Sequence, residues 1–133
     1  FLMDMLTRPE WPEYILDRFM EKNLAGAVAA ARAGVDLLRC GDDVANQRAM
    51  MFSVDQWRHF MKPRWARVYE AARRIKPDIE IWYHSDGNIL DIVGEMADAG
   101  LDILNPLQPE CMDPVALKRK WGDKLVFDEV RLE

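Results

Sequence analysis

The chain has 133 residues, an ordinary length for one domain. Half of its residues are apolar and 31% are charged, a balance typical of a water-soluble protein with a core. The net charge of −5 argues against a nucleic-acid partner, because phosphate binding needs concentrated positive charge. No apolar run approaches the roughly 18 residues that a membrane span needs, so no membrane partner is expected.

Two further features bear on the cellular compartment. The chain has two cysteines, Cys40 and Cys111, too few for a disulfide framework. Its first residues include acidic side chains and no small-residue cleavage site, which argues against a signal peptide. The sequence therefore predicts a cytoplasmic protein with reduced thiols.

The first predicted element is a helix over residues 10–33. Trp11, Tyr14, Ile15 and Phe19 fall at helical spacing in it, and this stripe is predicted to face the core. A strand over residues 35–40 follows.

A second helical pattern runs from about Ser53 to Ile75. Ser53 is its predicted N-cap, and Pro63 predicts a kink or two abutting helices. A third helix is predicted over residues 89–99, with Leu90 facing inward, and a short fourth begins after Asp113. The other predicted strands are residues 79–84, 101–106 and 124–127. Strands that alternate with helices predict a parallel sheet.

Polar segments follow each of the four strands. The carboxyl ends of parallel strands share one edge of a sheet, where α/β proteins place their ligand sites. We therefore expect these segments to form part of an active-site rim. They are "GDDVANQ" (41–47), "HSDGN" (84–88), "NPLQPEC" (105–111) and "DEVR" (128–131).

His84 and Asp86 are two residues apart, so a continuing strand places both on one face. The pair could bind a divalent metal such as zinc or act as an oriented acid–base pair. Alternatively, Asp86 caps the following helix and His84 is a satisfied histidine. Cys111 could complete a ligand set with His84 and Asp86, although a single loop cysteine is more often incidental.

Asp42 and Asp43 are adjacent carboxylates, which can serve proton transfer or bind a cation, or can simply form a solvated turn. We take His84, Asp86 and Asp43 as candidate catalytic residues. The polar side chains predicted to bind substrate are Asp42, Asn46, Gln47, Asn105 and Gln108.

Three segments resemble the uroporphyrinogen decarboxylase superfamily, which joins haem-pathway decarboxylases to corrinoid-dependent and zinc-dependent methyltransferases. They are "GVDLLRCGDDVANQRAMMFSVDQWRHFMKPRWARVYEAAR", "WYHSDGNI" and "GLDILNPLQPECMDPVALKRKWGDKLVF". The resemblance covers residues 10–127 and implies a (β/α)₈ barrel, of which this sequence matches only the later part. The expected fold class is thus α/β, a partial, half TIM-type barrel with about four parallel strands, in one domain over residues 1–133.

The resemblance also bears on chemistry. The true decarboxylases place a serine at the position of Asp43 and lack His84, whereas methyltransferase-like members often carry His-x-Cys with zinc on both. Here Asp86 occupies the cysteine position. The resemblance therefore implies a fragment of a methyltransferase-like or decarboxylase-like enzyme, with zinc as a possible cofactor and a corrinoid partner. With two named ligands, metal binding is expected to be weak or absent.

A different reading is a non-catalytic, truncated half-barrel that assembles as an oligomer or binds a small ligand. Four parallel strands alone leave two open edges and an uncovered apolar face. A homodimer could remove both, so the sequence predicts a homodimer with a small-molecule substrate.

Overall fold

The computed structural model describes residues 1–130, and residues 131–133, which include the last residue of the "DEVR" segment, lie outside the described part. Its strands form one sheet in the order β1-β2-β3-β4, and each pairs in parallel with its neighbour. The parallel arrangement brings the carboxyl ends of all four strands to one edge. The strands are β1 (Leu37–Gly41), β2 (Glu80–His84), β3 (Ile103–Asn105) and β4 (Val126–Phe127).

Helices alternate with these strands as the sequence predicts. Ser53 caps its helix through a capping box with Gln56, and the chain breaks before Pro63 into two helices. Asp113 accepts hydrogen bonds from two backbone N–H groups of the last helix. The helices are α1 (Asp4–Thr7), α2 (Glu10–Arg32), α3 (Val54–Phe60), α4 (Lys62–Ile75), a 3₁₀ turn (Leu90–Ile92), α5 (Val93–Asp98) and α6 (Pro114–Trp121).

Contacts divide the chain into two compact units. The first comprises residues 1–36 and 52–79, and the second comprises residues 37–51 and those from 80 onward. In the first unit α2 packs against α4, and Trp57 and Phe60 are buried. The whole sheet lies in the second unit. None of the helices in residues 1–130 is long and apolar enough to cross a bilayer.

The predicted orientation of α2 is wrong. Its aromatic stripe is exposed, with Trp11 at 55%, Tyr14 at 63% and Phe19 at 60% of full accessibility. The buried side of the helix instead includes Ala27 and Ala31. These small side chains permit close helix–helix packing on the buried side of α2.

Leu90 was also predicted to face inward and is 45% exposed. The segment starts as a 3₁₀ turn, in which Asn88 Oδ1 accepts the Leu90 N–H, and becomes α-helical only at Val93. A 3₁₀ turn has three residues per turn, so the 3.6-residue stripe assumed for 89–99 places Leu90 on the wrong side.

The two faces of the sheet differ sharply. Ile81, Tyr83 and Leu104 point to one face and are fully buried. On the other face, parallel register aligns Arg39 with Trp82. Two residues further along the strands, it aligns Gly41 with His84 and His84 with Asn105. This second row stands at the carboxyl edge and carries the candidate site.

Candidate functional site

His84 is fixed by a hydrogen bond that its ring donates to the neighbouring strand. It ends β2, and its Nδ1 lies 2.8 Å from Oδ1 of Asn105, which is paired with it in register on β3. The Asn105 oxygen only accepts, so the His84 Nδ1–H donates to it. In the neutral ring, Nε2 then carries the lone pair and is the atom free to bind a ligand.

The orientation of Asn105 is itself determined by acidic groups. The side chain is 3% exposed, and its Nδ2 hydrogens point to the carbonyl oxygen and Oδ2 of Asp128, each at 3.2 Å, and to Oε2 of Glu129 at 3.3 Å. Three acceptors around one nitrogen require the amide NH₂ on that side. The Asn105 oxygen therefore faces His84.

Two carboxylates face the free nitrogen of His84. Its Nε2 lies 3.9 Å from Oδ1 of Asp43 and 3.8 Å from Oδ2 of Asp86. The three residues offer ligand atoms that all lie within 4.8 Å of one another. The Asp86 N–H donates to Asp43 Oδ1 at 3.0 Å, which joins the loops that follow β1 and β2.

These distances fit a single divalent ion. Ligand atoms that each bind an ion at about 2.0–2.2 Å can be at most about 4.4 Å apart, and both measured separations are shorter. The other carboxylate oxygen of Asp86, Oδ1, is buried without a hydrogen-bond partner. An unsatisfied buried carboxylate oxygen is costly, and a cation at the site would offset that cost.

Two glycines allow the strand ends to approach closely. A Cβ on Gly41 would lie 2.7 Å from the carbonyl oxygen of His84 and 2.8 Å from its Cβ. Gly87 has a φ of +86°, and a Cβ there would lie 2.6 Å from the carbonyl oxygen of Asn46. Both positions therefore need glycine for the loops to meet around His84.

The structure brings together two of the three predicted metal ligands. His84 and Asp86 come together, and the third residue beside them is Asp43. Cys111 is not among them, and its Sγ lies 3.9 Å from Oε1 of Gln108. The ligand set predicted with Cys111 therefore lacks geometric support.

The predicted substrate-binding residues serve several roles. Asp42 is exposed and accepts a hydrogen bond from the Tyr83 hydroxyl, while Gln47 is exposed on the same loop. Asn46 Oδ1 accepts the N–H groups of Arg48 and Ala49 and so closes its own loop.

The remaining two are buried. Gln108 is 2% exposed and accepts the Gly87 N–H at 2.6 Å, which holds the His84 loop in place. Asn105 orients His84 rather than facing solvent. Gln108 and Asn105 therefore act on the site indirectly, by holding Gly87 and His84 in place.

Two residues beside the site, Trp82 and Arg39, were not among the candidates predicted from the sequence. The Trp82 ring stacks near that of His84, with centroids 6.1 Å apart and a 20° interplanar angle, and its Nε1–H donates to Asp128 Oδ2 at 2.8 Å. The Arg39 guanidinium carbon lies 4.2 Å from the centroid of Trp82. The available signal was their spacing, because Trp82 lies two residues before His84 and Arg39 lies two residues before Gly41.

Comparisons with known proteins agree with this architecture. The family model described as Uroporphyrinogen decarboxylase (URO-D) matches residues 1–126. The chain belongs to the URO-D family. A search of curated protein sequences finds no match. The resemblance on which the sequence analysis relied is thus confirmed.

Among solved structures, a methyltransferase from Methanosarcina mazei is similar to this URO-D family chain, with a TM-score of 0.72 and 25% identity. The similarity covers 98% of this chain and 35% of that one. The chain therefore spans about a third of its structural relative. The predicted α/β fold class, a partial barrel with four parallel strands, is confirmed.

Proposed function

We propose that this chain carries the metal-binding catalytic centre of a methyltransferase-like enzyme of the URO-D family. The observation that supports the proposal best is the orientation of His84. Asn105 holds the ring so that Nε2 faces the carboxylates of Asp43 and Asp86. A simple solvated turn would not require Nε2 of His84 and the two carboxylates to converge.

Asp43, His84 and Asp86 would hold the ion. A divalent ion bound there supplies Lewis acidity, which lowers the pKa of a bound thiol, alcohol or water and generates a nucleophile near neutral pH. Asn105 keeps the His84 ring in the ligand-binding tautomer. Gln108 fixes the backbone at Gly87 and so keeps Asp86 within reach of Nε2.

The donor set bears on which ion fits. One imidazole nitrogen and two carboxylate oxygens contain no thiolate, so the set suits borderline and hard ions such as Zn²⁺ and Mn²⁺ better than soft ones. Three protein ligands are also the number that catalytic zinc sites use, leaving a position for substrate. The expectation of weak or absent metal binding counted only two ligands, and with Asp43 as a third ligand we propose a measurable affinity instead.

Two features favour methyl transfer over decarboxylation. The chain has His84 at the strand end, the position at which methyltransferase-like relatives carry a histidine. Its similar solved structure is a methyltransferase. Zinc is the cofactor proposed first, and a corrinoid partner stays an expectation from the family resemblance.

Isothermal titration of the metal-free protein with Zn²⁺ and with Mn²⁺ tests the proposal. We expect one ion per chain, and loss of binding in His84→Gln and Asp43→Asn. His59→Gln is the matched control, because His59 is the chain's other histidine and pairs with Glu13 in the first unit.

Equal affinity in His84→Gln and the unsubstituted protein would contradict the proposal. So would the absence of binding in a folded, metal-free chain, which would favour the non-catalytic half-barrel. Circular dichroism of each variant separates loss of the site from loss of the fold.

A further inference from the structure

The face of the sheet that carries His84 also holds an unused cation. Arg39 lies on β1 opposite Trp82, one step along the strands from the Gly41–His84 pair. It lines a shallow depression of about 470 Å³ together with Asp43 and His84. Arg39 and the proposed metal centre therefore open into the same space.

The Arg39 guanidinium is held against the face of Trp82, with 4.2 Å between its central carbon and the ring centroid. Trp82 is 8% exposed, and its hydrogen bond to Asp128 fixes the ring plane. The platform on which Arg39 rests is therefore rigid. This lowers the entropic cost of ordering the arginine when a ligand binds.

Stacking uses the flat face of a guanidinium and leaves its N–H edge available. Within residues 1–130, Arg39 makes no side-chain hydrogen bond or ion pair, and its side chain is exposed. By contrast, Arg64 bonds Asp17 and Arg74 bonds Glu70 through their guanidinium groups. The donors of Arg39 are thus available to a ligand in the depression that Arg39 lines.

We propose that Arg39, positioned by Trp82, is the subsite that binds a carboxylate group of the substrate while the reacting group lies at Asp43, His84 and Asp86. The proposal rests on the function proposed above and specifies its substrate class, a small organic acid. The Trp82 ring centroid is 4.2 Å from the guanidinium carbon and 6.1 Å from the imidazole centroid, so both groups lie beside one ring.

A carboxylate fits better than a phosphate. The planar fork of Arg39 matches the two oxygens of a carboxylate in a bidentate pair. Asp42 and Asp43 line the same depression, and their charge repels a phosphate group, which carries up to two charges, more strongly than a singly charged carboxylate group such as either end of succinate. The surrounding acids therefore select for the lower charge.

The test uses metal-free protein, desalted after chelation, so that a carboxylate cannot bind through an ion. Succinate is titrated at constant ionic strength while tryptophan fluorescence is recorded, because Trp82 lies under the guanidinium. We expect a saturable change that is absent in Trp82→Phe. In Arg39→Gln the succinate Kd should rise about tenfold or more, since hydrogen bonds to a charged group are lost.

Arg48→Gln is the matched control, because Arg48 is another exposed arginine of the second unit and does not line the depression. Its succinate affinity should equal that of the unsubstituted chain. Arg39→Lys keeps the positive charge but loses the planar guanidinium, and it should bind succinate more weakly than the unsubstituted chain.

Unchanged succinate affinity in folded Arg39→Gln would overturn the proposal, as would tighter binding of inorganic phosphate than of succinate. Titration of the same variant with Mn²⁺ keeps the two proposals apart. If Arg39→Gln retains metal binding but loses succinate binding, the Arg39 subsite is supported. If His84→Gln loses metal binding, the result for succinate is unaffected.

Discussion

Replacing Asn105 with leucine tests whether the orientation of His84 controls ligand binding. Leucine has a similar volume but removes the acceptor of the His84 Nδ1–H and the donors to Asp128 and Glu129. The ring is then free to rotate or to move its hydrogen to Nε2. In either case Nε2 no longer presents a fixed lone pair to the two carboxylates.

The magnitude follows from the bonds that are lost. The bond to His84 is short at 2.8 Å and partly buried, so its loss should cost about 1–3 kcal/mol of folding stability. The bonds from Nδ2 are longer, at 3.2–3.3 Å, and Asp128 and Glu129 are exposed, so water replaces them. Removing a partner that orients a metal-binding histidine typically lowers affinity by about 10–100-fold, which is the change expected for Mn²⁺.

Chemical denaturation and calorimetric titration with Mn²⁺ measure the two effects separately. Asn88→Leu is the control, since it also removes one donor and one acceptor. Asn88 donates to the Arg48 carbonyl and accepts from the Leu90 N–H. It should lower stability without changing metal affinity. Mn²⁺ affinity in Asn105→Leu within about twofold of the unsubstituted chain would refute the reasoning, because a factor of two is about 0.4 kcal/mol.

Three further predictions follow from other parts of the structure. Gly41→Ala should weaken Mn²⁺ binding measured by calorimetry, because its Cβ meets the His84 backbone at 2.7 Å; unchanged binding would show that the strand ends adjust freely. Ser53→Ala should lower unfolding stability by about 1 kcal/mol in urea denaturation, through loss of the capping box with Gln56; a change near zero would contradict it. The homodimer predicted from the sequence would cover the open edges of the four-stranded sheet, so light scattering should give twice the chain mass, and a stable monomer at all concentrations would contradict it.

The local elements were readable from the sequence because their signals are local. Ser53 and Asp113 cap helices through side chains a few residues away, and Pro63 interrupts a helix wherever it occurs. The alternation of strands with helices likewise predicted a parallel sheet. Each of these inferences needs only neighbouring residues.

The α2 stripe shows where this reasoning ends. Periodicity identifies Trp11, Tyr14 and Phe19 as one face but does not say which face meets another helix. The side with Ala27 and Ala31 is buried, and small residues give a weak periodic signal. Only the packing partner decides between them.

The candidate site was half predictable for a related reason. His84 and Asp86 share a strand end, so their proximity follows from a spacing of two. Asp43 was expected near His84 because the carboxyl ends of parallel strands share one edge, whereas the pairing of Asn105 with His84 depends on how β1, β2 and β3 are aligned in register, which no single segment encodes. The same alignment, rather than any motif, brings Arg39 over Trp82.

Electron spin-echo spectroscopy of the Mn²⁺-loaded protein tests the central claim most directly. If His84 binds the ion beside Asp43 and Asp86, the spectrum should show modulation from one directly bound ¹⁴N nucleus, which His84→Gln removes and His59→Gln retains. Absence of that modulation in the loaded, unsubstituted chain, or its persistence in His84→Gln, would contradict the account.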